Sequence, residues 1–184
     1  MEEHVIVDSS FAASINAPFE RIDLPDWCFS LPDAEYQSCS PAHVATGATT
    51  ARDGRRMAIN VEVIGGVPMV QHFVEIVGEE SHLVLQSVSD LFTPTGRTKI
   101  NVMWELSVKP LDAGRCELTN RVRTWATPEF WELLAQQGIP FDAFRAQREP
   151  ASIAHNKHET LGFAASIERY ALRRAARQPM SKSA

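Results

Sequence analysis

Read as apolar and polar positions, the chain divides into a strand-rich body and a helical end. From His4 to Ile15 the residues Val5, Val7, Phe11, Ala13 and Ile15 alternate loosely, which predicts a first strand. Asn16 is placed to cap a short helical segment before Ala17 and Pro18. That segment breaks at Pro25, resumes through Trp27 and Phe29, and stops at Pro32. Asp33 to Pro41 holds Tyr36 and Cys39 without a period and reads as a loop.

The centre reads as strands joined by tight turns. His43 to Thr50 is a strand of small residues, and Arg52-Asp53-Gly54-Arg55 is a turn signal. Arg56 to Ile64 alternates, with Met57, Ile59, Val61 and Val63 on one face and Arg56, Asn60 and Glu62 on the other. After Gly65-Gly66, Met69 to Val77 sets Val70, His72, Val74 and Ile76 against Gln71 and Glu75. Gly78 to Ser81 turns the chain, and His82 to Asp90 is a strand too apolar on both faces to orient. Lys99 to Lys109 sets Ile100, Val102, Trp104, Leu106 and Val108 against Lys99, Asn101, Glu105 and Ser107. Arg115 to Trp125 sets Cys116, Leu118, Asn120, Val122 and Thr124 against Glu117, Arg121 and Arg123, so the arginines are expected to face solvent. Were that facing reversed, they would line the interior and suggest an anionic ligand. The short links imply antiparallel neighbours, since a parallel crossover needs a dozen residues or more.

A sheet with one apolar face needs a cover. Two helices are predicted: Pro128 to Gln137, and Ala151 to Arg177 with Pro150 at its start and Pro179 past its end. The longer one, at about 26 residues, spans about 39 Å. Ile153, Thr160, Ala164, Ile167 and Ala171 fall in one stripe, with Lys157, Glu168 and the arginines at or beyond its margins.

Polar residues on the faces expected to be buried are the informative ones, because an unpaired buried polar group costs about 1–3 kcal/mol. His72 and Asn120 on strands, and Asn156 and Thr160 on the long helix, are expected to converge on one interior space. A neutral imidazole can take or give a proton near pH 7 and an asparagine can hold a carbonyl or enolate oxygen. His72 and Asn120 are therefore the candidate catalytic pair. Trp104, Asn156, Thr160, Val74, Val122 and Ala164 are the candidate ligand lining. Each also has a plain structural reading: a backbone partner for His72, cross-sheet pairing for Asn120, a buried water for Asn156 and Thr160, core packing for Trp104. His155, His158 and Glu159 form a tempting acid–base group, but the helical projection sets His155 away from the stripe and His158 on its flank, toward solvent. Cys116 begins a strand without an evident base.

Composition narrows the function classes. The chain has 184 residues, 44% hydrophobic and 22% charged, which suits one globular domain over residues 1–177 followed by a disordered tail, Gln178 to Ala184. A net charge of −5 argues against general nucleic-acid binding. The basic run Arg169, Arg173, Arg174, Arg177 and Lys182 suits a helix C-terminus. No apolar run approaches a membrane span, and the MEEHVIVDSS start lacks a signal-peptide layout. Cys28, Cys39 and Cys116 cannot all pair, and a reduced, cytoplasmic protein is expected. The cysteines and histidines lack zinc-ligand spacing apart from His155 and His158, so no metal and no organic cofactor is implied.

The element order (a strand opening into Ile15-Asn16-Ala17-Pro18 and a short helical pair, six consecutive antiparallel strands, a long closing helix) resembles the START-like, or SRPBCC helix-grip, superfamily. Polyketide cyclases and birch-pollen-allergen-like proteins belong to it, and the resemblance runs from about Val5 to Leu172. It implies an α+β fold in which a curved antiparallel sheet of six to seven strands wraps the long helix around a cavity. Members bind lipids, sterols, polyketides or other hydrophobic molecules there, and some catalyse cyclisation, dehydration or hydrolysis. No subfamily's catalytic motif is present. The segment Pro128 to Glu149, with Trp131 inside it and Trp125 before it, is an insertion placed to cap the cavity mouth. Three readings follow: a cyclase-like enzyme acting on a polyketide-like or aromatic compound, a non-catalytic carrier of a hydrophobic molecule, or an interaction module. A homodimer is left open.

Overall fold

A computed structural model describes residues 4–177 of the protein. In chain order the elements are β1 (Val5–Ile15), a 3-10 turn (Phe19–Arg21), α1 (Leu24–Ser30), α2 (Asp33–Cys39), β2 (His43–Thr50), β3 (Arg56–Ile64), β4 (Val67–Glu79), β5 (His82–Thr93), β6 (Gly96–Asp112), β7 (Arg115–Ala126), α3 (Pro128–Gln137) and α4 (Phe141–Arg177). The seven strands form one antiparallel sheet in the order β1-β7-β6-β5-β4-β3-β2. Every neighbour except β1–β7 is also consecutive in sequence, as short hairpin links require. The β3–β4 link shows why: Gly65 and Gly66 both take positive φ, 56° and 78°, the twist that a two-residue hairpin needs. The sheet curves around α4, which packs against β1, β7 and α2. The expected tail 178–184 lies outside the described residues.

Three expectations about the helices need correcting. Asp33–Cys39 is a helix, not a loop: its few residues are too short a window for a period, but Tyr36 and Cys39, three apart, bury one face. Pro25 stands in the first turn of α1 rather than breaking it, where a missing N–H costs nothing, and Asp23 caps that turn by accepting from Asp26 N at 3.0 Å. Asn16 caps no helix; its backbone N and side-chain Nδ2 donate to Glu168 Oε2 at 2.8 and 3.0 Å, fastening the end of β1 to α4.

The long helix begins at Phe141 and runs through Pro150. Proline inside a helix forfeits one backbone hydrogen bond. The extra turns are retained by packing: Phe144 meets Phe130 at 4.8 Å between ring centroids and Phe141 meets Trp131 at 5.0 Å. The segment Pro128 to Glu149 is therefore α3 plus the first turns of α4. Its residues Phe144 and Arg148 border the interior cavity.

The facing of β6 and β7 follows the apolar pattern, with Ile100, Val102, Trp104, Leu106, Val108, Cys116 and Leu118 buried. That of β3 and β4 is the reverse of the expectation. Ala58, Asn60, Glu62 and Ile64 of β3 and Met69, Gln71 and Phe73 of β4 are buried, while Val63 and Ile76 are exposed. His72 and Val74 thus stand on the outer face with Val70. The apolar-inward rule fails because here the inner face borders a partly polar cavity, while the β-branched residues outside satisfy strand propensity. β5, which periodicity could not orient, turns Leu83, Leu85, Ser87, Ser89 and Leu91 inward. Arg121 faces outward and pairs with Asp8 at 2.8 Å. The three cysteines are buried and unpaired.

Candidate functional site

Two strand residues, His43 and Glu62, meet two residues of the inner face of α4, His155 and Glu159. Each arrives by a separate device. A register shift between His43 and Ala45 bulges the start of β2 and sets His43 opposite Glu62 of β3. Glu62 comes from the inner face of β3, and the β3–β4 turn is held close to α4, where a Cβ on Gly65 would lie 2.9 Å from Ala151 Cβ. His155 and Glu159, four apart, share one face of α4. Gly162, one turn on, lets α2 approach so closely that a Cβ there would stand 2.3 Å from the Cys39 carbonyl oxygen.

The imidazoles and carboxylates interlock. His43 Nε2 and His155 Nε2 each lie 3.2 Å from Glu159 Oε2; Glu62 Oε1 is 3.9 Å from His43 Nε2, and Glu62 Oε2 is 3.7 Å from His155 Nε2. Every member is also held from behind. His43 Nδ1 donates to the Tyr36 carbonyl at 2.8 Å, and the two rings stack at 3.9 Å. His155 Nδ1 lies 3.3 Å from Ser40 Oγ. Tyr36 OH donates to Glu62 Oε1 at 2.5 Å and Asn120 Nδ2 to Glu159 Oε1 at 3.2 Å. Trp104 Nε1 donates to Asn120 Oδ1 at 2.9 Å, fixing which end of the Asn120 amide faces Glu159.

Burial and charge act against each other here. Burial alone would disfavour the charged form of His155, but the Glu159 and Glu62 carboxylates overcome it and raise its pKa. Burial would likewise raise the Glu159 carboxyl, and the two histidines hold it down instead. Glu62 and Glu159 are 5% and 4% exposed, and carboxylates this deep need the close partners they have, His155 beside both, Tyr36 on Glu62 and Asn120 on Glu159. Tyr36 is pushed up by its own burial and then by Glu62, which keeps the phenol protonated as a donor.

Glu62, His155 and Glu159 border an interior cavity of about 60 Å³ that opens to solvent at its mouth. Most of its wall is apolar: Val102, Trp104, Phe73, Leu91, Val122 and Phe163 among others. Seven polar residues besides the cluster also line it, Asn156, Arg148 and Gln71 among them. Asn156 donates to Ser9 Oγ at 2.8 Å. Arg148 donates to the Ile64 carbonyl at 2.9 Å, with its pKa lowered by burial and no carboxylate partner among the described residues. Gln71 Oε1 is buried without a hydrogen-bond partner among the described residues.

Of the residues singled out from sequence, Trp104, Asn156 and Val122 line this cavity. Asn120 and Thr160 sit directly behind it, joined at 3.2 Å, and Ala164 is buried in the core. His72 and Val74 are not brought there, because the strand carrying them faces the other way. His155, expected near solvent, is turned inward with a side chain 10% exposed, whereas His158 is exposed. The cluster residues His43 and Glu62, their support Tyr36, and Gln71 and Arg148 were missed. One signal was available: Asn156, Glu159, Thr160, Phe163 and Ile167 repeat at helical spacing, so a carboxylate stood within the buried stripe.

A seven-stranded antiparallel sheet gripping a long C-terminal helix around a lined cavity is a helix-grip α+β fold, the fold also found in solved aromatase/cyclases. The chain is similar in structure to the ZhuI aromatase/cyclase from Streptomyces sp. R1128, with TM-score 0.61, 12% identity, and coverage of 96% of this chain and 98% of that one. It is also similar to the di-domain ARO/CYC StfQ of the steffimycin biosynthetic pathway, with TM-score 0.53, 10% identity, and coverage of 94% of this chain and 53% of that one. No protein-family model matches the chain, and no curated protein matches its sequence. No helix among the described residues is long and apolar enough to cross a membrane.

Proposed function

We propose that the protein binds a largely apolar, oxygen-bearing small molecule of polyketide-like or aromatic type in this cavity and carries out proton-transfer chemistry on it. The reactions in view are enolisation leading to cyclisation or dehydration. The observation that carries the reading is the buried His/Glu cluster bordering a largely apolar cavity. Two carboxylates supply bases and His155, kept protonated by them, supplies a donor to a carbonyl or enolate oxygen. Gln71 Oε1, buried and without a hydrogen-bond partner among the described residues, suits a ligand hydroxyl, because leaving it bare would cost about 1–3 kcal/mol. Trp104, Phe73 and Phe163, with ring centroids 5.4 Å apart in successive pairs, offer an aromatic wall. Asn120 acts through Glu159 as a positioning residue rather than on the ligand.

The test is mass spectrometry of the protein purified under native conditions, followed by incubation of the released compound and related ketones with wild type and His155→Gln. Time-dependent conversion by wild type, falling about 100-fold or more in the variant, is expected. A ligand that emerges unchanged would favour carriage over catalysis, and full turnover by His155→Gln would remove the cluster from the chemistry.

A further inference from the structure

The geometry points to a divalent transition-metal site formed by His43, Glu62, His155 and Glu159. One ligand atom from each lies within 4.8 Å of all the others. An ion held by nitrogen and oxygen ligands at about 2.0–2.2 Å separates neighbouring tetrahedral ligands by about 3.3–3.6 Å. Glu159 Oε2 stands 3.2 Å from both imidazole nitrogens, close to that value, and Glu62 approaches them more loosely, with Oε2 at 3.7 Å from His155 and Oε1 at 3.9 Å from His43.

The supporting contacts have the form a metal site requires. A carbonyl oxygen only accepts, so His43 Nδ1 bears hydrogen toward Tyr36 O and Nε2 is the nitrogen turned to the carboxylates. A bare Nε2 lone pair facing carboxylate oxygen repels it, so something positive must stand between them. Two added hydrogens, one on each ring, would meet that need, and one divalent ion would meet it with both rings neutral. Glu159 keeps Oε1 for Asn120 Nδ2 and turns Oε2 toward both histidines, while Glu62 turns Oε2 toward His155 and its Oε1, which accepts from Tyr36 OH, is the oxygen nearest His43. Two imidazoles with two carboxylates suit a first-row ion between Mn²⁺ and Zn²⁺ better than Ca²⁺ or Mg²⁺. Glu62, His155 and Glu159 border the cavity while His43 stands behind them, so the bound ion would face a bound molecule.

With an ion bound, His155 would be a neutral ligand and not a proton donor, so this loading of the cluster departs from the proton-transfer reading and is tested apart from it. Protein stripped with chelator is dialysed against Zn²⁺, the bound metal is counted by elemental mass spectrometry, and Co²⁺ is added to a second sample for its visible absorption. One ion per chain is expected, with Co²⁺ bands of a four- or five-coordinate site. Affinity should fall at least 100-fold in His43→Gln and Glu159→Gln, and by about 10- to 100-fold in Tyr36→Phe, which touches only the support of Glu62. Circular dichroism checks that each variant folds, and Tyr36→Phe with the Co²⁺ spectrum carries the test if the ligand variants do not. No bound ion in wild type, or equal binding in all these variants, would overturn the site. Ion binding without ketone conversion counts against the acid–base reading alone; conversion without ion binding counts against the metal site alone.

Discussion

Replacing Gly162 by alanine tests how the cluster is assembled. The added methyl would lie 2.3 Å from the Cys39 carbonyl oxygen, 2.6 Å from its Cα and 2.8 Å from its carbonyl carbon. These are backbone atoms, so no side chain can swing aside. Ordinary contact begins at 3.4 Å, and α2 would have to retreat from α4 by about 1.1 Å. Overpacking of this kind costs about 1–3 kcal/mol, with the upper end apt for a backbone clash. Alanine in a helix interior returns about 1 kcal/mol relative to glycine. The clash wins by about 2 kcal/mol, which for a chain of this size lowers Tm by roughly 4–8 °C. The retreat also carries Ser40 away from His155, to which it is 3.3 Å distant, and disturbs the approach of His43. Thermal melting of Gly162→Ala beside Gly47→Ala gives the measurement. A Cβ on Gly47 meets nothing within 4 Å, so that variant should be neutral or stabilised by up to about 1 kcal/mol. An unchanged or raised Tm for Gly162→Ala would refute the close approach of α2 and α4, and with it the stated origin of the cluster.

Trp104→Phe removes the donor to the buried Asn120 Oδ1 and should cost about 1–3 kcal/mol in urea unfolding; a loss within about 0.5 kcal/mol would mean that the Trp104–Asn120–Glu159 chain is not needed. His72→Ala, on the outer face, should leave ligand binding and any turnover within about twofold of wild type, and a large loss would show that the facing of β4 is misassigned. Glu35 contributes pH dependence: burial would raise its carboxyl, but Ser166, Arg173 and Arg169 outweigh this and lower it. Its stabilisation is complete above the unfolded carboxylate value of about 4.3 and is lost as pH falls through the lower folded value, so Glu35→Gln should flatten Tm against pH below about pH 4.5. A variant curve parallel to wild type there would remove Glu35 from the acid response.

The chain order of strands, the tight turns and the presence of a closing helix are local properties. Alternation at period two in β6 and β7 and glycine pairs such as Gly65-Gly66 act within a few residues, so they could be read without coordinates. The buried stripe of α4 was legible for the same reason, although its start was not: the turns from Phe141 to Glu149 persist because α3 lies beside them, and Pro150 alone argues for a beginning. Which face of β3 and β4 points inward was decided by tertiary structure. An interior that keeps a cavity can accept Asn60, Glu62 and Gln71, and it leaves β-branched residues outside, so periodicity registers two faces without saying which is buried. The cluster lies further from sequence still. His43, Glu62, His155 and Glu159 come from two strands and a helix at the opposite end of the chain, and no local spacing can encode a meeting made by a bulge, a hairpin and a glycine contact. Burial opposes the charges on His155 and Glu159, and they persist because the fold brings each the partner that makes burial of the other tolerable.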